Sequence, residues 1–312
     1  MNRIRIGTRG SKLALTQTKK ISAIIADNFP DINIEEIIIK TRGDIIQDVP
    51  LHQIGGRGVF IKDIEEALLS RKIDIAVHSL KDMPGKLPEE LCIGAISQRA
   101  DPRDVLITRR SFSDISELKN EKSFHVATSS LRRRNQLKIL FPHFSFSDIR
   151  GNVDTRLRKM NESMLDGIML AAAGIDRLAI SGINTLRFPI EDIIPAPGQG
   201  FLAVECRRKD YDELAPVFQM IEDREARIIA DTERSFLKTM DAGCQAALAA
   251  FGRISCQKIN FFAYLSDPDG KSFLRESASF EMNEGIIGAE SLAKKMIESG
   301  AAQLLTKRLE TE

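Results

Sequence analysis

Short apolar runs of strand character alternate with stretches of helical spacing through the first two hundred residues, and this alternation most constrains the fold. Residues 4–6, 34–40 and 73–78 read as strands, with a helix over residues 13–27 after the first. Phe60, Ile64, Ala67 and Leu68 recur at helical spacing directly after Ile54-Gly55-Gly56-Arg57-Gly58, so a flexible loop feeds a further helix. Units of this kind build a parallel sheet with helices on its faces. A second α/β pattern starts after Asp101-Pro102-Arg103-Asp104, with strands at 105–108, 124–127, 144–149 and 167–171. It ends near Pro195-Ala196-Pro197-Gly198-Gln199-Gly200, where two prolines and two glycines punctuate the chain, and an apolar strand follows at 201–206. From about Arg224 the pattern becomes α+β: a helix to Met240, strands at 246–253, 259–265 and 272–280, and a closing helix at 289–299. No internal repeat is visible.

At 312 residues the chain exceeds one ordinary core, and about 150 residues per domain suggests two or three. Its 45 basic and 44 acidic side chains leave a net charge of +1, without the basic excess of a general nucleic-acid binder. Having no tryptophan and only two tyrosines, it is also poorly equipped to stack on bases. Anion chemistry must therefore come from local arrangement. No apolar stretch is long enough for a signal peptide or a membrane span, so a cytoplasmic protein with no membrane or nucleic-acid partner is expected. Cys92, Cys206, Cys244 and Cys256 form no CxxC pair and no zinc-like spacing with histidine, so neither a disulfide framework nor a metal site is expected.

The densest local signal is basic. Arg132, Arg133, Arg134, Arg150, Arg156, Arg158 and Arg177 follow one another closely. A guanidinium offers a planar fork of donors that matches a carboxylate, so converging arginines imply a ligand with several such groups. Counted alone, the same residues suit solvated helix faces slightly better. Two placements favour the ligand. Thr128-Ser129-Ser130 follows a strand and precedes a helix, where hydroxyls and free amides meet an anion. Arg150-Gly151-Asn152 follows the next strand, at the C-terminal edge where open α/β sheets bind ligands. Arg9 and Ser11 occupy the equivalent place after the first strand, although a turn with a helix cap explains them too. Ser79, Lys81 and Asp82 follow the strand that ends at His78. Four such strand ends in two consecutive α/β units suggest an arginine-lined cleft for a small polycarboxylate. Cys244, in Asp241-Ala242-Gly243-Cys244-Gln245, sits just after a helix. No nearby histidine supplies a base, so a cysteine hydrolase is poorly supported.

Taken together, these segments resemble the porphobilinogen deaminase family over essentially the whole chain. The resemblance rests on Thr8-Arg9-Gly10-Ser11, Thr41-Arg42-Gly43-Asp44, residues 74–84, Asp101-Pro102-Arg103-Asp104, residues 128–133, Arg150-Gly151-Asn152-Val153 with Arg156, residues 173–178, residues 195–200 and Gly243-Cys244-Gln245. It implies two α/β domains like those of type II periplasmic binding proteins and a third, smaller α+β domain. The domains so implied are residues 1–98 with 199–218, residues 99–198, and residues 219–312. It implies a monomeric transferase that condenses four porphobilinogen molecules head to tail, releases ammonia at each step, and frees the linear tetrapyrrole hydroxymethylbilane by hydrolysis. The chain grows on one dipyrromethane cofactor, joined through a thioether to the cysteine matching Cys244.

Each porphobilinogen carries an acetate and a propionate, so the growing product is a polyanion. The resemblance therefore casts Arg9, Arg132, Arg133, Arg150, Arg156 and Arg177 as carboxylate partners, with Ser11, Ser79, Lys81, Thr128, Ser129, Ser130 and Gln199 beside them. Asp82 is cast as the catalytic carboxylate that stabilises the electron-poor azafulvene left when ammonia departs. The sequence departs from the family pattern at Gln53 and Arg57, at Ala127 and Ala242 in place of usual glycines, and at Ala246-Ala247-Leu248. A two-lobed binding protein for a dicarboxylate is the main competing class. The missing export signal and the pairing of Asp82 with Cys244 count against it.

Overall fold

A computed structural model describes residues 2–41, 59–242 and 246–306. The strands in chain order begin with β1 (Arg3–Thr8), β2 (Asn33–Ile38), β3 (Ile75–Ser79) and β4 (Leu91–Ile96). Then come β5 (Asp104–Thr108), β6 (Phe124–Ala127), β7 (Phe144–Ser147), β8 (Gly167–Ala171) and β9 (Asn184–Arg187). They end with β10 (Leu202–Arg207), β11 (Ala247–Ser255), β12 (Lys258–Ser266) and β13 (Phe273–Glu281). The α-helices are α1 (Lys12–Asn28), α2 (Val59–Leu69), α3 (Leu131–Leu140), α4 (Val153–Glu162), α5 (Ala172–Arg177), α6 (Tyr211–Ile221), α7 (Arg224–Met240), α8 (Gly285–Met296) and α9 (Ala302–Thr306).

The chain divides into two compact units, Met1–Ala100 with Gly200–Ala230, and Asp101–Gln199 with Asp231–Glu312. The first holds a five-stranded sheet of order β2-β1-β3-β10-β4. β1, β2 and β3 are parallel, and β10 runs antiparallel between β3 and β4. All six residues of β10 are buried, as are the first four of β3, because helices cover both faces of a central strand. α1 is held on one face by Ile21 and Ile25, one turn apart, which pack with Ile4, Ile6, Val77, Leu202 and Phe218.

The second unit repeats this arrangement in the order β7-β6-β8-β5-β9. β6, β7 and β8 are parallel, and β5 runs antiparallel between β8 and β9. Each α/β sheet thus contains one reversed strand next to its central parallel strand, in the same position. The expected mixed α/β class is present, as two five-stranded α/β sheets of like topology together with a smaller sheet.

That smaller sheet is the antiparallel meander β11-β12-β13, paired residue for residue along nine-residue strands. β13 alternates exposed and half-buried residues, as a strand with one solvated face should. α8 buries Ala289, Leu292, Ala293 and Met296. Ala249, Phe251 and Tyr264 pack on Ile190 and Ile194, and the Asn135 amide donates to Ser266 Oγ at 2.9 Å, so this sheet belongs to the second compact unit. The predicted closing helix at 289–299 starts earlier, at Gly285, and ends in a wide turn over Ile297–Ala301, where Gly300 has φ 105°.

Candidate active site

In the first unit the parallel strands β1, β2 and β3 end at the edge where β10 begins, since Leu202 pairs with Ser79. Ser11 caps α1, its Oγ accepting from Ala14 N at 3.3 Å, and Arg9 lies half-buried between β1 and that cap. Gln17, buried on α1, donates from Nε2 to Ser79 Oγ at 2.9 Å, which ties the end of β3 to the helix. Lys81 and Asp82 sit in the short helical turn Leu80–Asp82 and are partly exposed. The turn is rigid for two reasons. Leu80 and Met83 are buried on either side, and Leu80 N donates to Phe201 O at 3.2 Å. A fixed backbone thus presents the Asp82 carboxylate to solvent at a strand end.

Beneath this turn lies a buried ionisable group that the sequence reading did not single out. His78 Nε2 and Glu205 Oε2 are 2.9 Å apart across β3 and β10, both buried. Burial, and then the negative charge of Glu205, push the Glu65 carboxyl on α2 above the ordinary range.

In the second unit the ends of β6, β7 and β8 share an edge with the start of β5, because Asp104 pairs with Ala171. Ser130 caps α3, accepting from Arg133 N, and Thr128 Oγ1 accepts from Ser130 N at 3.2 Å. Ser129 Oγ donates to Ile149 O at 2.9 Å, joining the ends of β6 and β7. Gly151 has φ +113°, and a side chain there would meet Thr155 at 2.5 Å, so the Arg150-Gly151-Asn152 turn requires glycine. Arg156 Nε donates to Gly151 O at 2.8 Å, and Lys159 Nζ to Arg150 O at 3.1 Å, so α4 fixes the backbone that carries Arg150. Arg150, Arg156 and Arg177 are half-buried. Burial pushes the Arg177 guanidinium down to about 10, against the opposing charge of Asp176.

Arg132 and Arg133, expected to face a ligand, are buried against an internal carboxylate. Arg132 Nη1 donates to Asp104 Oδ2 at 2.6 Å and to Ile194 O at 2.8 Å. Arg133 closes on Asp104 Oδ1 with Nε at 2.9 Å and Nη2 at 2.8 Å. Gln199 Nε2 donates to the same oxygen at 3.0 Å and to Pro102 O at 2.7 Å. Asp104 is completely buried. Burial alone raises its pKa, but the charges of Arg132 and Arg133, with the hydrogen bonds of Arg132 and Gln199, hold the carboxyl well below the usual range. Three predicted ligand-binding side chains are therefore anchored first to one internal carboxylate.

Other charges are absorbed locally. Arg158 pairs with Glu162 one turn on, on an exposed helix face, and Arg134 pairs with Asp148. Arg103 and Arg187 both grip Asp101, whose carboxyl burial would raise but which they hold down at about 2. Arg187 also reaches Asp176 at 2.6 Å, next to Arg177. In the 195–200 loop, Glu233 on α7 accepts from Gly198 N at 2.7 Å and from Gly252 N at 2.8 Å, which staples the loop to β11. The readings of Cys244, Gln53 and Arg57 fall outside the described residues.

Comparison with known proteins decides the family. Residues 4–215 match the model described as porphobilinogen deaminase, dipyromethane cofactor binding domain, and residues 228–298 the model of its C-terminal domain. The chain is 41% identical over 309 residues to the porphobilinogen deaminase of Bacillus subtilis (strain 168), covering 98% of this chain and 96% of that protein. It is 39% identical over 305 residues to that of Syntrophomonas wolfei, covering 98% of each. This chain belongs to the porphobilinogen deaminase family. As a member it is a transferase of tetrapyrrole biosynthesis with a dipyrromethane cofactor binding domain. No helix among the described residues is long and apolar enough to cross a membrane.

Proposed function

We propose that Asp82 is the catalytic carboxylate of a hydroxymethylbilane synthase that joins four porphobilinogen molecules head to tail. At each condensation a bond forms between the aminomethyl carbon of the incoming unit and the free α-carbon of the terminal pyrrole. The carbon–nitrogen bond breaks, ammonia leaves, and the α-carbon loses its proton. Positive charge develops on the incoming pyrrole as ammonia departs, and a carboxylate held by a rigid turn stabilises it and accepts or returns a proton. Ser79, Lys81, Arg9 and Ser11 lie on neighbouring strand ends of the same sheet and bind the acetate and propionate side chains. The observation that carries this reading is the partly exposed Asp82 on a turn pinned by Leu80, Met83 and the Phe201 carbonyl.

The second unit supplies a donor set that suits a polyacidic group: the guanidiniums of Arg150, Arg156 and Arg177, and the hydroxyl of Ser130 at the start of α3, with Ser129 holding the backbone beside them. Arg132, Arg133, Gln199 and Thr128 shape this edge from behind, and direct whatever donors Asp104 does not engage. When bound, the dipyrromethane supplies the terminal pyrrole on which the product is built, and Cys244 is its attachment point. Residues 219–312 act as a third domain carrying that cysteine. The enzyme works as a cytoplasmic monomer on a small molecule.

The test is porphobilinogen consumption by the purified chain, with uroporphyrin formation after acid treatment. Asp82→Asn should lower turnover by about a hundredfold or more with unchanged thermal stability. Near-normal turnover of this variant would remove Asp82 from the catalytic role.

A further inference from the structure

Cys92 on β4 and Cys206 on β10 are register partners across an antiparallel pair, with their sulfurs 3.6 Å apart. Directly opposed residues in such a pair have Cα atoms about 4.5–5.5 Å apart, inside the roughly 4.4–6.8 Å that a disulfide spans. Side-chain rotation alone can bring the sulfurs together, and neither strand has to slide. The proposed mechanism uses neither cysteine.

The two thiols differ in access and in chemistry. Cys206 is buried and Cys92 half-buried, so an oxidant meets Cys92 first. Two guanidiniums bracket Cys92 on its own strand. Arg208 Nη2 donates to Leu91 O at 3.1 Å, and Arg227 Nη2 donates to Gly94 O at 3.1 Å and to Ile93 O at 3.4 Å. The hydrogen bond with Cys206 lowers the Cys92 thiol to about 7, with burial and Glu205 opposing and Arg208 and Arg227 assisting. The same hydrogen bond, burial and Glu205 push the Cys206 thiol up. Cys92 is therefore the nucleophile, and Cys206 keeps its proton until a bond forms beside it.

We propose that Cys92 and Cys206 form a reversible disulfide with a low-molecular-weight disulfide as oxidant, Cys92 attacking and Cys206 resolving. The Cys92 thiolate attacks one sulfur of the oxidant, forming a mixed disulfide and expelling one thiolate. Cys206 then loses its proton and attacks Cys92 Sγ, forming the protein disulfide and expelling the second thiolate. Two protein thiols are oxidised and the oxidant is reduced to two thiols.

The consequence follows from position along the chain. A bond from Cys92 to Cys206 encloses residues 93–205, which include the whole Asp101–Gln199 segment. Closing so long a loop restricts the unfolded chain strongly and stabilises the native one. The pairing of β10 with β3 runs from Leu202, opposite Ser79, to Cys206, opposite Ile75. The bond therefore forms at the far end of β3 from Ser79 and Asp82, and turnover should be unchanged.

The purified full-length chain carrying Cys256→Ser, which removes the exposed thiol among the described residues, is treated with oxidised glutathione and mapped without reduction. The expected result is one cross-linked pair containing Cys92 and Cys206, a melting temperature several degrees above that of the reduced protein, and reversal by dithiothreitol. With Cys206→Ser added, the reaction should stop at a glutathione adduct on Cys92, and with Cys92→Ser neither adduct nor cross-link should form. Both thiols remaining open to alkylation after treatment, or no adduct on Cys92 in the Cys206→Ser protein, would overturn the assignment. A cross-link without a rise in melting temperature would overturn its stabilising role.

Discussion

Asp104→Asn tests whether the buried ionic cluster, rather than open arginine clamps, organises the second unit. The carboxylate is fully buried and accepts from Arg132, Arg133 and Gln199 at 2.6–3.0 Å. The amide keeps the shape but removes the charge, and its NH2 group faces donors where acceptors are needed. Two buried guanidiniums then lose their common counterion. Breaking a buried pair in this way costs about 3–5 kcal/mol, well above the ~1 kcal/mol of an exposed pair. Urea unfolding followed by circular dichroism should show a midpoint lower by at least about 1 M.

The pH dependence supplies a second readout. In the folded chain the Asp104 carboxyl titrates well below its unfolded value near 3.9, so between the two the unfolded chain binds more protons. Its contribution is thus fully present above pH ~4 and is lost as the pH falls toward the folded value. The stability difference between parent and variant should be constant near neutrality and shrink in acid. A difference under about 1 kcal/mol at neutral pH, or one that does not shrink in acid, would refute the reasoning.

Other expectations follow from single residues. Arg150→Ala removes a half-buried guanidinium from a turn held by Gly151 and Lys159, and should lower the fraction of purified protein that carries the dipyrromethane by intact mass, with little change in melting temperature. The parent mass should exceed that of the bare chain by two linked pyrrole units on the Cys244 peptide, and Cys244→Ala should lack this increment. Gly200 has φ +98°, and a side chain there would come within 2.6 Å of the Ala100 carbonyl oxygen. Gly200→Ala should therefore lower stability by roughly 1–3 kcal/mol, measured as a fall in melting temperature.

The elements that were legible in the sequence are those whose burial leaves a continuous apolar run or a sustained helical period. β6 and β8 appear with the predicted limits, as does α7, because Val126, Ile168 and Met169 are buried on both faces and α7 keeps one apolar stripe. β4 was not legible, because Gly94 interrupts its apolar run. The strand tolerates that glycine because Phe218 occupies the space a side chain would take, and because the pairing with β10 shifts register there. β9 is four residues long with one buried side chain, Leu186, and only its partner β5 makes it a strand. The site divides along the same line. Strand-end residues such as Ser79, Asp82 and Arg150 were visible because their position follows from the local pattern. The fates of Arg132 and Arg133 were not, since their counterion arrives on β5, nearly thirty residues earlier. Asp104 stands at the start of a reversed strand, and Glu205 lies inside another. Both reversed strands neighbour the central parallel strand of their sheets, so each brings a buried carboxylate into the interior of its sheet. A buried carboxylate there is stable only with a cation or histidine on an adjoining element. Asp104 takes Arg132 and Arg133, and Glu205 takes His78, the residue immediately before Ser79. The same topological position thus anchors the polar residues of both edges, through pairings that no local sequence pattern can display.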